Sequence, residues 1–187
     1  MSVLFEQQLA NHCAPALTGI KASNLVSCQK KDFPSFQATL WEYQQALSST
    51  DIRFCVLCEC SQRYLLLVYR EKHLAKQLFQ PEVQQLLLQD GYPLCKDVQC
   101  LLQHLSFRFS QSADFPHEIG LFLGYPVEDV IGFQTHKGKD FQLCGYWKVY
   151  NNPEHAQNLF HRFDQCRNAL CRRVQQGHSI IKMFAVA

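Results

Sequence analysis

Six consecutive apolar residues, YLLLVY at positions 64–69, constrain the fold more than any other part of the sequence. A strand with one face in water alternates apolar and polar side chains, whereas an unbroken apolar run is typical of a strand covered on both faces. The strand-like run at residues 52–60 precedes it, and only Ser61, Gln62 and Arg63 separate the two. We therefore predict an antiparallel hairpin over residues 52–70, with its second strand in the middle of a sheet.

Helical patterns account for much of the remaining chain. The other predicted elements are a helix from Ser2 that ends at Pro15, a strand or irregular arm at 19–28, a helix from Pro34 to about Leu47, helices at 71–89 (interrupted at Pro81) and 94–109, a strand at 141–150 and a helix from Asn152 to about Gly177. Strands and helices are segregated, which predicts an α+β fold with a small antiparallel sheet of three or four strands and about six helices. Because no Pro/Gly/Ser-rich linker interrupts the 187 residues, we expect a single domain over 1–187, with a signature segment at 115–150.

Charge and hydropathy exclude several classes of partner. Eighteen Lys and Arg against sixteen Asp and Glu give a net charge of +2, far from the basic stripe needed to bind along a nucleic acid. The longest apolar stretch, at 119–127, is about half the length of a membrane-spanning helix and contains glycine and proline. The N-terminus lacks the basic region of a signal peptide. We expect a cytoplasmic protein with neither a nucleic-acid nor a membrane partner.

The ten cysteines do not form an obvious metal or disulfide pattern. Cys55, Cys58 and Cys60 are the densest group, but they fall in a strand-like run, where alternation sends Cys55 to one face and the other two to the opposite face. Cys166 and Cys171 are five residues apart on a predicted helix and point about 140° apart around its axis. We therefore expect buried free thiols in a reducing cytosol, and no zinc or iron–sulfur site.

Five of the eight glycines fall between positions 120 and 145, interleaved with aromatic residues. This density requires either close packing or a ligand, because glycine loses the most conformational entropy on folding. Four polar residues accompany the glycines, each expected in the first turn of a short helix behind Pro116 or Pro126: His117, Glu118, Glu128 and Asp129. The helix dipole favours the acids there and keeps the imidazole neutral. The sequence leaves open whether the two helix N-termini face one cleft beside Tyr125.

The predicted strand at 141–150 carries a second candidate surface. Alternation places Tyr146, Lys148 and Tyr150 on one face and Trp147 with Val149 on the other. The Tyr/Lys/Tyr face suits a stacked planar ligand beside an ammonium group, and the same pattern also describes an ordinary exposed sheet face.

Three functional interpretations stay open, because no GxGxxG, GxxxxGK[ST] or GxSxG motif occurs. The preferred one is an accessory protein that binds a small ligand or a protein partner around residues 115–130. The alternative is a metal-dependent or acid–base enzyme that uses His117 with Glu118, Glu128 or Asp129, a set suited to Fe, Mn or Zn. The third treats the segment as a folding device. The sequence indicates no particular cofactor, catalytic residue or oligomeric state.

Two motifs also carry a resemblance to a known family. FPHEIGLFLGYPVEDVIGF followed by CGYWKVY, at 115–150, resembles the domain-of-unknown-function 3793 family of mostly anaerobic Gram-positive bacteria. HCAPALTGIKASNL at 12–25 and LLLVYR at 65–70 are similar to further segments of that family. The resemblance implies a bacterial, cytosolic and oxygen-avoiding setting, which agrees with free thiols. It implies no activity and assigns no site residue.

Overall fold

The central strand that the apolar run predicts is present. In the computed structural model, which describes residues 2–111 and 115–185, strand β3 (Arg63–Arg70) pairs antiparallel with both β1 (Ser23–Gln29) and β2 (Ile52–Glu59). The sheet order is β1-β3-β2, so β3 is central and the predicted β2–β3 hairpin is confirmed.

The described residues form an α+β fold, as predicted, although with nine helices instead of about six. The helices are α1 (Val3–Leu17), α2 (Phe36–Ala46), α3 (Glu71–Leu78), α4 (Pro81–Gln89), α5 (Val98–Gln111), α6 (Ile119–Phe122), α7 (Val127–Thr135), α8 (Pro153–Gln175) and α9 (Ile180–Phe184). A second antiparallel sheet consists of β4 (Leu143–Cys144) and β5 (Lys148–Val149). Over 2–111 and 115–185, no helix combines the length and the apolar composition needed to cross a membrane.

Strand β3 separates two hydrophobic clusters. Leu66 and Val68 pack in a cluster with residues of α1, α2 and the C-terminal half of α8. Leu67 and Tyr69 point the other way, into a cluster formed by residues of α3 to α7. All four side chains are buried, so both faces of the strand are covered, which explains its continuous apolar sequence.

Helix α8 joins the first cluster to a third one. Its N-terminal half places Phe160 against Trp147 of the β4–β5 hairpin, while Leu170 near its C-terminus packs with α1. Asn152 caps α8 as predicted, because its side chain accepts a hydrogen bond from the backbone N–H of His155.

Helix α1 does not end at Pro15, contrary to the prediction, but continues to Leu17. Residues 13–17 are all buried, and the backbone N–H of Ala16 donates to Oδ1 of Asn24 at 2.9 Å. Tertiary contacts therefore support a last turn that the proline alone would disfavour.

The predicted continuous strand at 141–150 is wrong, because the chain reverses direction within it. The backbone N–H of Gly145 donates to the carbonyl of Trp147 at 3.1 Å, and this turn joins β4 to β5. A Cβ atom on Gly145 would lie 2.3 Å from Cε2 of Phe160, so only glycine lets the turn pack this closely on α8.

The expectation that all cysteines are free thiols is wrong for Cys95 and Cys100, which form a disulfide. Helix α5 begins at Val98, not near residue 94, and the side chain of Asp97 accepts from the backbone N–H of Cys100 at 2.8 Å. The segment before the helix therefore lies beside its first turn, where the two cysteines meet.

The alternation predicted for the cysteines of β2 is interrupted by a bulge. Cys55 pairs with Leu67 and Cys58 pairs with Leu65, because the register shifts between Val56 and Cys58. Leu65 and Leu67 are two residues apart in β3 and share a face, so Cys55 and Cys58 share one as well. Their predicted placement on opposite faces is therefore wrong.

A buried carboxylate, Glu6 of α1, fixes the packing of α2 and α9. Its Oε1 accepts hydrogen bonds from the hydroxyl of Tyr43 (3.0 Å), the hydroxyl of Ser179 (2.8 Å) and the backbone N–H of Ile180 (3.0 Å). Burial, and secondarily the Glu6 carboxylate, raises the pKa of Tyr43, so the phenol remains a donor.

We predict that Glu6→Ala lowers the free energy of unfolding by about 3 kcal/mol, since three buried donors lose their acceptor. The matched control is Glu42→Ala, which removes an exposed carboxylate from α2 and should cost less than about 0.5 kcal/mol. Urea unfolding followed by circular dichroism measures both values. Equal stabilities of the two variants would contradict a structural role for Glu6.

Candidate ligand-binding site

The two short helices of the signature segment begin differently. Helix α7 starts behind Pro126 with Glu128 and Asp129 in its first turn, as predicted. Helix α6 is only four residues long and starts at Ile119, so His117 and Glu118 precede it. The prediction that these two residues lie within the first helical turn is therefore wrong, and the helix-dipole argument does not apply to them.

Glu118 is buried and holds two side chains of neighbouring elements. Its Oε1 accepts from Nε of Arg108 at 2.7 Å and from the hydroxyl of Tyr92 at 3.1 Å. Burial and then the Glu118 charge raise the pKa of Tyr92, which keeps this phenol protonated as a donor. The carboxylate thereby joins the segment before α6 to α5 and to the loop that contains Tyr92.

Asp129 is equally buried and anchors the β4–β5 hairpin to α7. Its Oδ2 accepts from Nε1 of Trp147 at 2.7 Å, and its Oδ1 accepts from the backbone N–H groups of Tyr150 (2.7 Å) and Asn151 (2.9 Å). Both carboxylate oxygens therefore accept hydrogen bonds, and two of the three donors are backbone N–H groups where the chain leaves β5.

The four predicted polar residues are distributed over three cavities and do not all line the same one. His117 is exposed, with its ring centroid 5.0 Å from that of Phe133, and it lines one cavity with Asp129 and another with Glu118. Glu128 is exposed and lines a third cavity. Within residues 2–111 and 115–185, no group of three or more His, Cys, Asp or Glu side chains is placed to hold a metal ion.

The three residues predicted to share a strand face have separate contacts. Tyr146 lies in the hairpin turn and donates its hydroxyl to Asp164 of α8 at 2.9 Å. Nζ of Lys148 donates to the carbonyl of Gly138 at 2.7 Å. The ring of Tyr150 stacks on His136 with centroids 5.5 Å apart. The turn at 145–147 removes the alternation on which the shared face depended.

An apolar cavity of about 310 Å³ lies between the hairpin and the two short helices. We call it the apolar cavity. It is lined by Phe115, His117, Ile119, Gly120, Leu123, Tyr125, Asp129, Val130, Phe133, Cys144, Gly145, Trp147 and Lys148. Four of the predicted site residues are therefore brought to one cavity: His117, Tyr125, Asp129 and Lys148.

Tyr125 and Trp147 form a wall that the apolar cavity shares with a second one. Their rings stack with centroids 4.9 Å apart, and the hydroxyl of Tyr125 donates to the carbonyl of Tyr146 at 3.2 Å. Burial raises the pKa of Tyr125 to about 12. The second cavity, of about 370 Å³, has a more polar lining that includes Lys21, His73, Gln77, Glu128 and His155. We call it the Lys21 cavity.

Lys21 is the site residue that sequence reasoning missed. It lies between α1 and β1, only 6% of its surface is exposed, and its Nζ is 5.0 Å from the ring centroid of Tyr125. Burial lowers the pKa of Lys21 to about 8. No local sequence signal distinguishes this lysine from an exposed one, because the aromatic rings around it come from distant parts of the chain.

We predict that Lys21→Met raises the free energy of unfolding at pH 7 by up to about 3 kcal/mol. The substitution removes an ammonium group that is destabilised in the folded protein, because burial lowers the pKa of Lys21. Below pH 8 the lysine is protonated in both the folded and the unfolded chain, so the full cost of burying the ammonium group lowers the stability of the wild-type protein. From about pH 8 to about pH 10.5 the folded protein loses its proton first, so wild-type stability rises towards that of the variant.

Urea unfolding at several pH values between 7 and 10.5 checks this, with the exposed Lys31→Met as the control. A stability difference between Lys21→Met and wild type that does not change over this range would show that Lys21 is solvated normally.

Comparisons with known proteins agree with the resemblance seen in the sequence. Neither a search of curated proteins nor a search of solved structures found a match. The sequence model of a family described as "Protein of unknown function (DUF3793)" matches residues 9–184, which is nearly the whole chain. The chain therefore belongs to the DUF3793 family.

Proposed function

We propose that this protein binds a small, largely apolar and planar molecule in the apolar cavity and acts as a binding or accessory protein. The observation that carries the proposal is the composition of the walls, where Tyr125, Phe133 and Trp147 supply aromatic surface and Leu123 and Val130 supply aliphatic surface. The volume of about 310 Å³ falls at the lower end of the range for small-molecule sites.

Polar groups at the cavity favour a ligand with at least one hydrogen-bonding substituent. His117 and Cys144 are exposed and line the cavity, so they belong to its opening. Lys148 uses one of its three donors on the carbonyl of Gly138, which leaves donors for an acceptor on the ligand. A few polar groups around an apolar interior are the usual composition of a small-molecule site.

The binding interpretation requires less rearrangement than the metal-dependent or acid–base alternative. Glu118 would have to give up Arg108 and Tyr92 to bind an ion, and Asp129 would have to release Trp147 and the backbone after β5. Breaking such buried charged hydrogen bonds costs several kcal/mol. No observation favours the enzyme over the binding protein.

The cytoplasmic location stays a prediction from the sequence, and the bacterial and oxygen-avoiding setting stays a prediction that rests on the family resemblance. The disulfide between Cys95 and Cys100 weighs against a strongly reducing compartment, because cytosolic disulfides are uncommon.

The neutral naphthalene dye prodan tests the proposal in a Trp41→Phe background, where Trp147 is the remaining tryptophan. We predict saturable binding of one dye per chain, with energy transfer from Trp147, because that indole forms part of the cavity wall. Cys144→Phe places a bulky ring at the opening and should weaken binding by about tenfold, which is a loss of about 1.4 kcal/mol.

The matched control is Cys60→Phe, which changes an exposed cysteine at the end of β2 and should leave prodan binding unchanged. Absence of saturable binding, or equal weakening by Cys144→Phe and Cys60→Phe, would contradict a ligand site in the apolar cavity.

A further inference from the structure

Only 6% of the surface of Lys21 is exposed, and its Nζ keeps some contact with solvent where the residue lines the Lys21 cavity. Its backbone N–H donates to the carbonyl of Pro15 at 3.1 Å, which fixes the residue where the chain enters β1. Within the part of the chain that the structure describes, no carbonyl or carboxylate accepts a hydrogen bond from Nζ. Lysine side chains are rarely buried to this extent without a partner, because desolvation of the charge is costly.

The groups around Lys21 do not neutralise its charge. Tyr125 and Phe163 face the ammonium with ring centroids at 5.0 and 5.9 Å, an arrangement that recovers only part of the lost hydration. Cys13 of α1 also interacts electrostatically with Lys21, but burial raises the pKa of its thiol, which is therefore neutral at pH 7.

The Lys21 cavity carries further groups that can contact a polar ligand. His73 and Gln77 of α3 and His155 of α8 line it with nitrogen atoms that can donate hydrogen bonds. Glu82 of α4 and Glu128 of α7 also line it, and both are exposed. The cavity therefore combines the ammonium group of Lys21 and several nitrogen donors with two exposed carboxylates.

We propose that the Lys21 cavity binds the anionic group of a small molecule, a carboxylate or a phosphate, with Lys21 as its counter-ion. An anion supplies both an opposite charge and hydrogen-bond acceptors for the ammonium group, and charge-assisted hydrogen bonds of this kind are stronger than neutral ones. Burial lowers the pKa of Lys21 to about 8, which still leaves the amine mostly protonated at pH 7.

The two glutamates narrow the class of ligand. Glu82 and Glu128 oppose additional negative charge in the same cavity, so a group with one negative charge is favoured over a group with two. At neutral pH a carboxylate carries one negative charge, whereas inorganic phosphate is a mixture of the monoanion and the dianion. We therefore expect a carboxylate to bind more tightly than phosphate. This site is separate from the apolar cavity, although Tyr125 and Trp147 contribute to both.

The test is a pH titration followed by NMR of protein labelled with ¹³C-lysine, in which the Cε chemical shifts are measured. The titration is repeated with sodium acetate or with inorganic phosphate at constant ionic strength. Without either anion, one lysine Cε signal should titrate near pH 8, and this signal should be missing from the spectrum of the Lys21→Met variant. Saturating acetate should raise that pKa by about one pH unit, because a bound anion stabilises the ammonium form. Phosphate should have a smaller effect.

Lys31→Met is the control and should keep the signal and its response to acetate. If Lys21→Met does not fold, Lys21→Gln replaces it, and the wild-type titration decides the question by itself. A response to phosphate alone would support an anion site and contradict the preference for a carboxylate. A Cε signal that shifts with neither anion, or that shifts equally with sodium chloride, would overturn the proposal.

Discussion

The carboxylate of Asp129 is the constraint on which the rest of the candidate site depends. It is buried at the start of α7 and accepts three hydrogen bonds from the chain around β5, one of them from the indole of Trp147. A buried charge with three donors is stable only while those donors stay in place. Asp129 therefore fixes the position of the hairpin relative to α7, and with it the position of Trp147.

Trp147 in turn determines the shape of both cavities. Its ring stacks on Tyr125 and meets Phe160 of α8 edge to face, with centroids 4.9 and 4.6 Å apart. The apolar cavity lies against this aromatic wall and so does the Lys21 cavity. One side offers aromatic and aliphatic surface, while the other offers an unpaired ammonium. These two rings are lining residues that the two cavities share.

The sequence predicts those features that neighbouring residues determine. The apolar run of β3 requires burial on both faces, and Pro126 with two acids behind it marks the start of α7, so both were predicted correctly. The partners of Asp129 could not be predicted, since they depend on a hairpin turn that Gly145 allows by its close contact with Phe160. Lys21 gave no signal at all, because its burial results from aromatic rings far along the chain.

The most direct test of this account is the hydrogen exchange of the Trp147 indole N–H, measured by NMR on protein labelled with ¹⁵N-tryptophan. Trp41 is an internal reference, because 61% of its surface is exposed. If Asp129 holds Trp147, the Trp147 indole proton resonates downfield of the Trp41 proton and exchanges much more slowly, and Asp129→Asn removes most of that protection. Exchange of the Trp147 proton at the same rate as the Trp41 proton would contradict the account.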